Sequence, residues 1–275
     1  MGDAQAPAFW YDGVLHQGKV ELAVTEPGLL FGASVFTTLR GYGGSLESGL
    51  TGWTRHCDRI TQSLRAFDWT EPNWSHIRTG CDTLKQHYPV LRITVFADGC
   101  ELITGRGLPA NLAIEQAQGV TLWLSDNSLH HRSQPQHKTG NYLGCYLAMQ
   151  QAKAHRARDA ILINASGSWL ETSTGSLWGY KDGHWWTPPL SAGILPGIQR
   201  AWLLKQLTAL GQHIIQQPWT PDLPPQFDAL FYTNCVIEYL PVHTVLTGQT
   251  KLEYDRNSPA GEALRGLLAT ARLEL

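Results

Sequence analysis

Gly193-Ile194-Leu195-Pro196-Gly197-Ile198-Gln199-Arg200 brings a glycine-containing loop to a helix start, and Ile198 to Leu210 continues as a helix closed by Gly211. The first N–H groups of a helix have no internal partner and point outward. Together with the helix dipole they make an anion site suited to phosphate. The segment also reads as an ordinary loop-to-helix turn, and it is neither a P-loop nor a G-x-G-x-x-G fingerprint. Lys138 stands in His137-Lys138-Thr139-Gly140-Asn141-Tyr142, just before a second helix. It reads either as a solvated surface charge or as a Schiff-base lysine tuned by desolvation or a nearby cation. Glu171, in Trp169-Leu170-Glu171-Thr172-Ser173-Thr174, reads as a strand-face glutamate or as a buried acid paired with a cation. A lysine amine, a carboxylate and a phosphate-binding helix start, in that order, are what pyridoxal 5′-phosphate needs.

Around these segments the chain alternates strands and helices. Asp12-Gly13 is a two-residue turn between Phe9-Trp10-Tyr11 and Val14-Leu15-His16. Leu22-Ala23-Val24 is a candidate strand, and Val35 to Arg40 is a β-branched and aromatic one. Helices are expected over Thr51–Phe67 and Trp74–Tyr88, then a strand over Val90–Phe96. Residues 111–119 read as a connector between an N-terminal domain, 1–110, and a C-terminal domain, 120–275, that carries the lysine. In the second half, strands are expected at Val120–Leu124, Ala160–Ile163, Trp169–Thr174, Leu177–Tyr180, Ala229–Tyr232 and Tyr239–Leu246. Helices are expected at Asn141–Arg156 and Ala260–Leu273, with a polar loop over His130–His137. The pattern is that of an α+β chain, antiparallel-rich, in two domains.

Composition narrows the function classes. The chain has 275 residues, with 11 Trp, 9 Tyr and 7 Phe, which argues against disorder. A net charge of −2 leaves no electrostatic footprint for nucleic acid or an anionic membrane. No apolar run approaches the roughly 20 residues of a membrane helix. Met1 to Trp10 lacks a basic residue and a long apolar stretch, so no signal peptide is read. The five cysteines are scattered without a C-x-x-C pair, so no disulfide framework or metal site is expected, and free thiols suit a cytoplasmic location.

Five segments, in order, resemble the fold-type IV pyridoxal-phosphate enzymes, also called class IV aminotransferases. Phe31-Gly32 followed by Val35-Phe36-Thr37-Thr38-Leu39-Arg40 is similar to the family's F-G-D-G-x-F-E-T-x-R. His56-Cys57-Asp58-Arg59-Ile60 resembles H-x-x-R-L, which implies that Arg59 contacts the cofactor phosphate. Lys138 to Tyr142 resembles the Schiff-base segment, and Leu170 to Ser173 the segment whose glutamate, here Glu171, meets the pyridine nitrogen. Gly193 to Arg200 resembles the phosphate turn, with Gly197, Ile198 and Gln199 at the phosphate. Ala33-Ser34, Ser176 and Pro196 depart from the family pattern and bear on substrate class.

Within the family, Thr37-Thr38 in place of Glu-Thr resembles the 4-amino-4-deoxychorismate lyases. So does Gly105-Arg106-Gly107, whose arginine would meet a substrate carboxylate, and Asn234 in Tyr232-Thr233-Asn234-Cys235 on a late cofactor-side strand. The resemblance implies a lyase that releases pyruvate to give 4-aminobenzoate for folate synthesis. Lys138 would be the catalytic base, with Thr37 or Thr38 supplying a hydroxyl. A branched-chain or D-amino acid aminotransferase and a non-catalytic relative are the alternatives. The resemblance also implies a homodimer acting on a small molecule, with the site between domains.

Overall fold

Asp12 and Gly13 hold positive φ values of 46° and 77°, the backbone a tight hairpin needs to match the twist of its strands. They close β1 (Ala8–Tyr11) onto β2 (Val14–Gln17). The computed structural model describes residues 8–248 and 250–273. Residues 1–7, most of the stretch read for a leader, lie outside them. The chain forms two compact units, residues 8–108 with 137–141, and residues 109–136 with 142–273.

The first unit continues with α1 (Pro27–Phe31), β3 (Ser34–Arg40), α2 (Trp53–Ala66), α3 (Trp74–Leu84), β4 (Val90–Phe96) and β5 (Glu101–Arg106). Its five-stranded sheet has the order β2-β1-β5-β4-β3 and is antiparallel throughout. Side chains alternate across a strand. Val35 and Leu39, Leu91, Ile93 and Val95, and Ile103 therefore share one face, which forms a core with Ile60, Leu64, Ile77 and Leu84 of α2 and α3. The other face carries Phe36, Thr38 and Arg40 beside Arg92, Thr94, Thr104 and Arg106.

The second unit contains α4 (Leu112–Gln118), β6 (Val120–Leu124), α5 (Leu143–Ala154), β7 (Asp159–Ile163), β8 (Trp169–Thr172), β9 (Ser176–Lys181) and β10 (His184–Thr187). It ends with α6 (Ile198–Ala209), β11 (Ile214–Gln216), β12 (Ala229–Asn234), β13 (Glu238–Thr247), β14 (Thr250–Glu253) and α7 (Pro259–Leu273). Its nine-stranded sheet runs β11-β10-β9-β12-β13-β6-β7-β8, with β14 beside β13. The pairs β10–β11, β13–β6 and β6–β7 are parallel, so this sheet is mixed.

The structure corrects several expectations. Leu22–Val24 is not a strand. Residues 111–119 are mostly the helix α4 and belong to the second unit; one buried residue, Leu112, gave the pattern too little periodicity to read. Glu101–Arg106 is a full strand, and Gly105 within it is required because a Cβ there would stand 2.1 Å from the Tyr88 ring. Residues 137–141 pack with the first unit and not with the C-terminal one. The cause is backbone pairing: Phe36 N–H donates to the Lys138 carbonyl at 2.8 Å, and Val35 pairs with Thr139.

Gly80 of α3 lets Trp10 of β1 approach, since a Cβ at Gly80 would stand 2.5 Å from Trp10 Cγ. Trp10 is held there because its Nε1–H donates to the buried Glu101 carboxylate at 3.0 Å. Alanine favours a helix over glycine by about 1 kcal/mol, whereas overpacking costs about 1–3 kcal/mol. Gly80→Ala is therefore expected to lower the urea midpoint despite better propensity; a raised midpoint would show that Trp10 moves aside freely.

Candidate active site

In the first unit, Thr37 points from β3 toward α2 and is fully buried. His56 and Arg59, three residues apart on α2, meet it. Arg59 Nη2 donates to Thr37 Oγ1 at 2.7 Å, and Thr37 Oγ1 lies 2.5 Å from His56 Nδ1. Thr37 Oγ1 thus accepts from Arg59 and shares a short hydrogen bond with His56 Nδ1. Burial first, and then the nearby Arg59 charge, push the His56 pKa well below its ordinary value. The ring is neutral at pH 7 and adds no repulsion against Arg59.

Residues 138–140 form a strap along β3. Besides the Phe36–Lys138 bond, Gly140 N–H donates to the Ser34 carbonyl at 2.6 Å. A Cβ at Gly140 would stand 2.2 Å from Ser34 Oγ, so the glycine is what lets the strap close. Lys138 Nζ lies 4.6 Å from the centre of the Phe36 ring, and the Arg92 guanidinium carbon lies 3.5 Å from the same centre. Phe36 shares its sheet face with Thr38, Arg40, Arg92 and Arg106. Glu101, the one carboxylate in β1–β5, is on the opposite face, against Trp10.

In the second unit, Glu171 of β8 is buried. Arg132 Nη1 donates to it at 2.7 Å, and Leu195 N–H lies 3.2 and 3.3 Å from its two oxygens. Burial works most strongly against the Arg132 charge, but Glu171, together with Cys145 and Tyr142, raises the guanidinium pKa on balance. The Leu195 bond joins the acid to the loop that starts α6. Gly197 is the N-cap of that helix and supplies no side-chain cap; a Cβ there would stand 2.6 Å from Ser176 Oγ. Gln199, in the first turn, is 2% exposed, and neither atom of its carboxamide has a hydrogen-bond partner among the described residues. A buried amide left unpaired costs on the order of 1–3 kcal/mol, so the first turn of α6 is built for a polar occupant.

The structure thus brings Lys138, Thr37 and Arg59 together in one unit, and Glu171 and the Gly197–Gln199 turn together in the other. Thr37 Oγ1 bonds both Arg59 and His56 on the core side of β3; Thr38, on the Phe36 face, is the outward one. Asn234 is bonded to the backbone: Nδ2 donates to the Thr174 carbonyl at 3.2 Å, and Oδ1 accepts from Val236 and Ile237 N–H at 2.9 and 3.0 Å. Arg106, at the end of β5, is exposed. Sequence reasoning missed Arg132, hidden in a stretch read only as a polar loop. It also gave no role to His56, although the H-x-x-R spacing placed that residue beside Arg59.

The first unit holds an amine and a guanidinium, and the second a buried carboxylate and an uncapped helix start; these residue types suit an aldehyde, a phosphate dianion and a pyridine nitrogen. The comparisons agree with that chemistry. The amino-transferase class IV family model matches residues 34–245. An aminodeoxychorismate lyase of Vibrio harveyi is 25% identical over 281 residues, covering 94% of this chain and 97% of its own. A branched-chain-amino-acid aminotransferase of Pseudomonas aeruginosa is 26% identical over 281 residues, covering 93% and 90%. The solved branched-chain amino acid aminotransferase of Escherichia coli superposes with a TM-score of 0.81 at 21% identity, over 97% of this chain and 94% of that one. The chain belongs to the class IV aminotransferase family, whose members are pyridoxal-phosphate-dependent enzymes. No helix among the described residues is long and apolar enough to cross a membrane.

His56 gives a pH test. A group whose folded pKa lies below its unfolded value takes up a proton on unfolding, so stability is lost as pH falls below about 6.5. His130, His137 and His243 are shifted in the same direction by burial. Replacing His56 by Gln should remove its share, flattening the fall in unfolding free energy between pH 7 and 5 by up to about 1.4 kcal/mol per pH unit. Equal slopes for the two proteins would mean that His56 titrates normally.

Proposed function

We propose that the protein is a pyridoxal-phosphate-dependent lyase that removes pyruvate from 4-amino-4-deoxychorismate to give 4-aminobenzoate. The observation that carries this reading is the sheet face around Thr38, on which Arg40, Arg92 and Arg106 stand together. Arg40 and Arg106 lie in one register row, both opposite Val90, and Arg92 lies in the next row on that face. Guanidinium groups bind carboxylates in bidentate geometry. A substrate with two carboxylates suits this face better than an amino acid with one. The Vibrio harveyi relative, named as a lyase, supports the same reading.

Pyridoxal phosphate, when bound, supplies an aldehyde that captures the substrate amine and a ring that accepts electrons as a substrate bond breaks. Arg59, bonded to Thr37, would hold the phosphate, as would the first N–H groups of α6 with the Gln199 amide. Glu171, paired with Arg132, would meet the ring nitrogen. Lys138 would hold the cofactor through Nζ and serve as base for the substrate proton beside the amine; the Thr38 hydroxyl shares the Phe36 sheet face. Arg106 and its neighbours orient the carboxylates.

We further propose that the enzyme is a cytoplasmic homodimer in folate synthesis. Its cysteines are free, and α1 exposes Leu29, Leu30 and Phe31 at 61, 56 and 76%. Such a patch suits burial against a second copy. An aminotransferase is the second reading, favoured by the Pseudomonas aeruginosa relative at similar identity and coverage.

Product analysis separates the two. Incubation with 4-amino-4-deoxychorismate should release 4-aminobenzoate and pyruvate in equal amounts, and Lys138→Ala should abolish both. Conversion of the cofactor to its amine form by ordinary amino acids, without 4-aminobenzoate, would establish the aminotransferase. Arg106→Ala should raise KM for the chorismate-derived substrate roughly thirtyfold, since a charge-assisted pair is worth about 2 kcal/mol. An unchanged KM would remove Arg106 from the substrate site.

A further inference from the structure

We propose that His137, the residue before the lysine, is a positioning residue that ties Lys138 to the helical turn presenting Arg59. The inference rests on the reading of Lys138 as the covalent site. His137 Nδ1 lies 3.0 Å from Ser63 Oγ. Its ring packs on Phe67 with centroids 4.7 Å apart. Ser63 is buried on α2, one turn after Arg59, and its hydroxyl donates to the Arg59 carbonyl at 3.1 Å. That hydroxyl has one proton, and it is committed to the carbonyl, so His137 Nδ1–H is the donor in the His137–Ser63 bond.

The two anchors differ in what they fix. The bonds from Phe36 and Gly140 hold the strap's backbone against β3. The His137 side chain adds a fixed point on a different element, α2. Because Ser63 and Arg59 share one turn of that helix, the amine of Lys138 and the guanidinium of Arg59 are referenced to the same piece of backbone. His137 therefore governs how readily Lys138 Nζ reaches the cofactor aldehyde, while Arg59 governs how tightly the phosphate is held.

The test separates these quantities. Covalent capture forms a bond from Nζ to the aldehyde carbon and releases the aldehyde oxygen as water. Borohydride then delivers hydride to that carbon and makes the link permanent, so capture at timed intervals is read by mass. Affinity for the phosphate end is read in parallel with pyridoxine 5′-phosphate, which has an alcohol in place of the aldehyde. His137→Ala should slow capture about fivefold, the factor that a neutral hydrogen bond of ordinary strength represents, with the affinity for pyridoxine 5′-phosphate unchanged. Ser63→Ala should give the same slowing, the double variant no more than either single one, and His137→Gln, which keeps a donor, should recover part of the rate. Equal capture rates in wild type and both alanine variants overturn the inference, as does a parallel loss of pyridoxine 5′-phosphate affinity or an additive double variant. Should His137→Ala fail to fold, Ser63→Ala and His137→Gln decide the matter alone. A wild-type protein that borohydride does not label at Lys138 would instead overturn the reading of the cofactor site itself.

Discussion

The backbone bond from Phe36 N–H to the Lys138 carbonyl decides where the reactive amine belongs. A lysine on a free loop would sample many rotamers, and ordering it costs about 2 kcal/mol in side-chain entropy alone. Pairing 138–140 along β3 removes the backbone part of that freedom. It also sets the amine over the face of Phe36, with Arg92 against the same ring. Everything proposed for the first unit follows from this pairing. β3 presents Thr37 to Arg59 on one face and Phe36 and Thr38 on the other, so one strand organises both the phosphate ligand and the reacting side.

Charge is handled differently in the two units. In the first, Thr37 lets a buried histidine and an arginine share one neutral hydroxyl, and burial keeps the histidine uncharged. In the second, Glu171 and Arg132 are both ionised and largely buried. Such a pair is a weak source of stability, because desolvation offsets most of the attraction. Its presence is better explained by what an ionised carboxylate does there. Leu195 N–H adds a neutral donor to the carboxylate that Arg132 already pairs. Pre-set charge of this kind requires no reorganisation when a cationic ring arrives.

Much of this was legible in the sequence, for identifiable reasons. The Asp12-Gly13 hairpin, the Val90–Phe96 and Val120–Leu124 strands and the start of α6 follow from local turn chemistry and strand pattern, which the fold did not override. Lys138, Glu171 and Arg59 stood out because residue types and order matched one chemistry. What stayed hidden depended on long-range contact. Nothing local marks residues 137–141 as belonging to the first unit, since the bond that holds them spans about a hundred residues of chain. Arg132 looked like any arginine in a proline-containing loop until a β-strand brought Glu171 to it. Thr37 and Thr38 are identical in sequence terms, and only strand alternation separates the one bound to Arg59 from the one on the Phe36 face. Residues 111–119 read as a connector because a seven-residue helix burying one leucine carries almost no periodicity.

The same logic explains why the cofactor residues alone do not choose between a lyase and an aminotransferase. Both reactions begin with capture of an amine and removal of a proton beside it, so both need the lysine, the ionised acid and the phosphate ligands. They diverge in where the electrons go next, and that is set by the substrate and how it is oriented. Discrimination must therefore come from residues that face the substrate. On the reading proposed above, the candidates are Thr38, Arg40, Arg92, Thr104 and Arg106, which share one face of β3, β4 and β5. A glutamate at position 37 would place a carboxylate against Arg59, whereas threonine places a neutral hydroxyl there. With a neutral residue there, the outward sheet face carries the positive charge of Arg40, Arg92 and Arg106. A substrate carrying two carboxylates uses that charge more fully than one carrying a single carboxylate and an apolar side chain, and this electrostatic difference gives the lyase reading its physical basis.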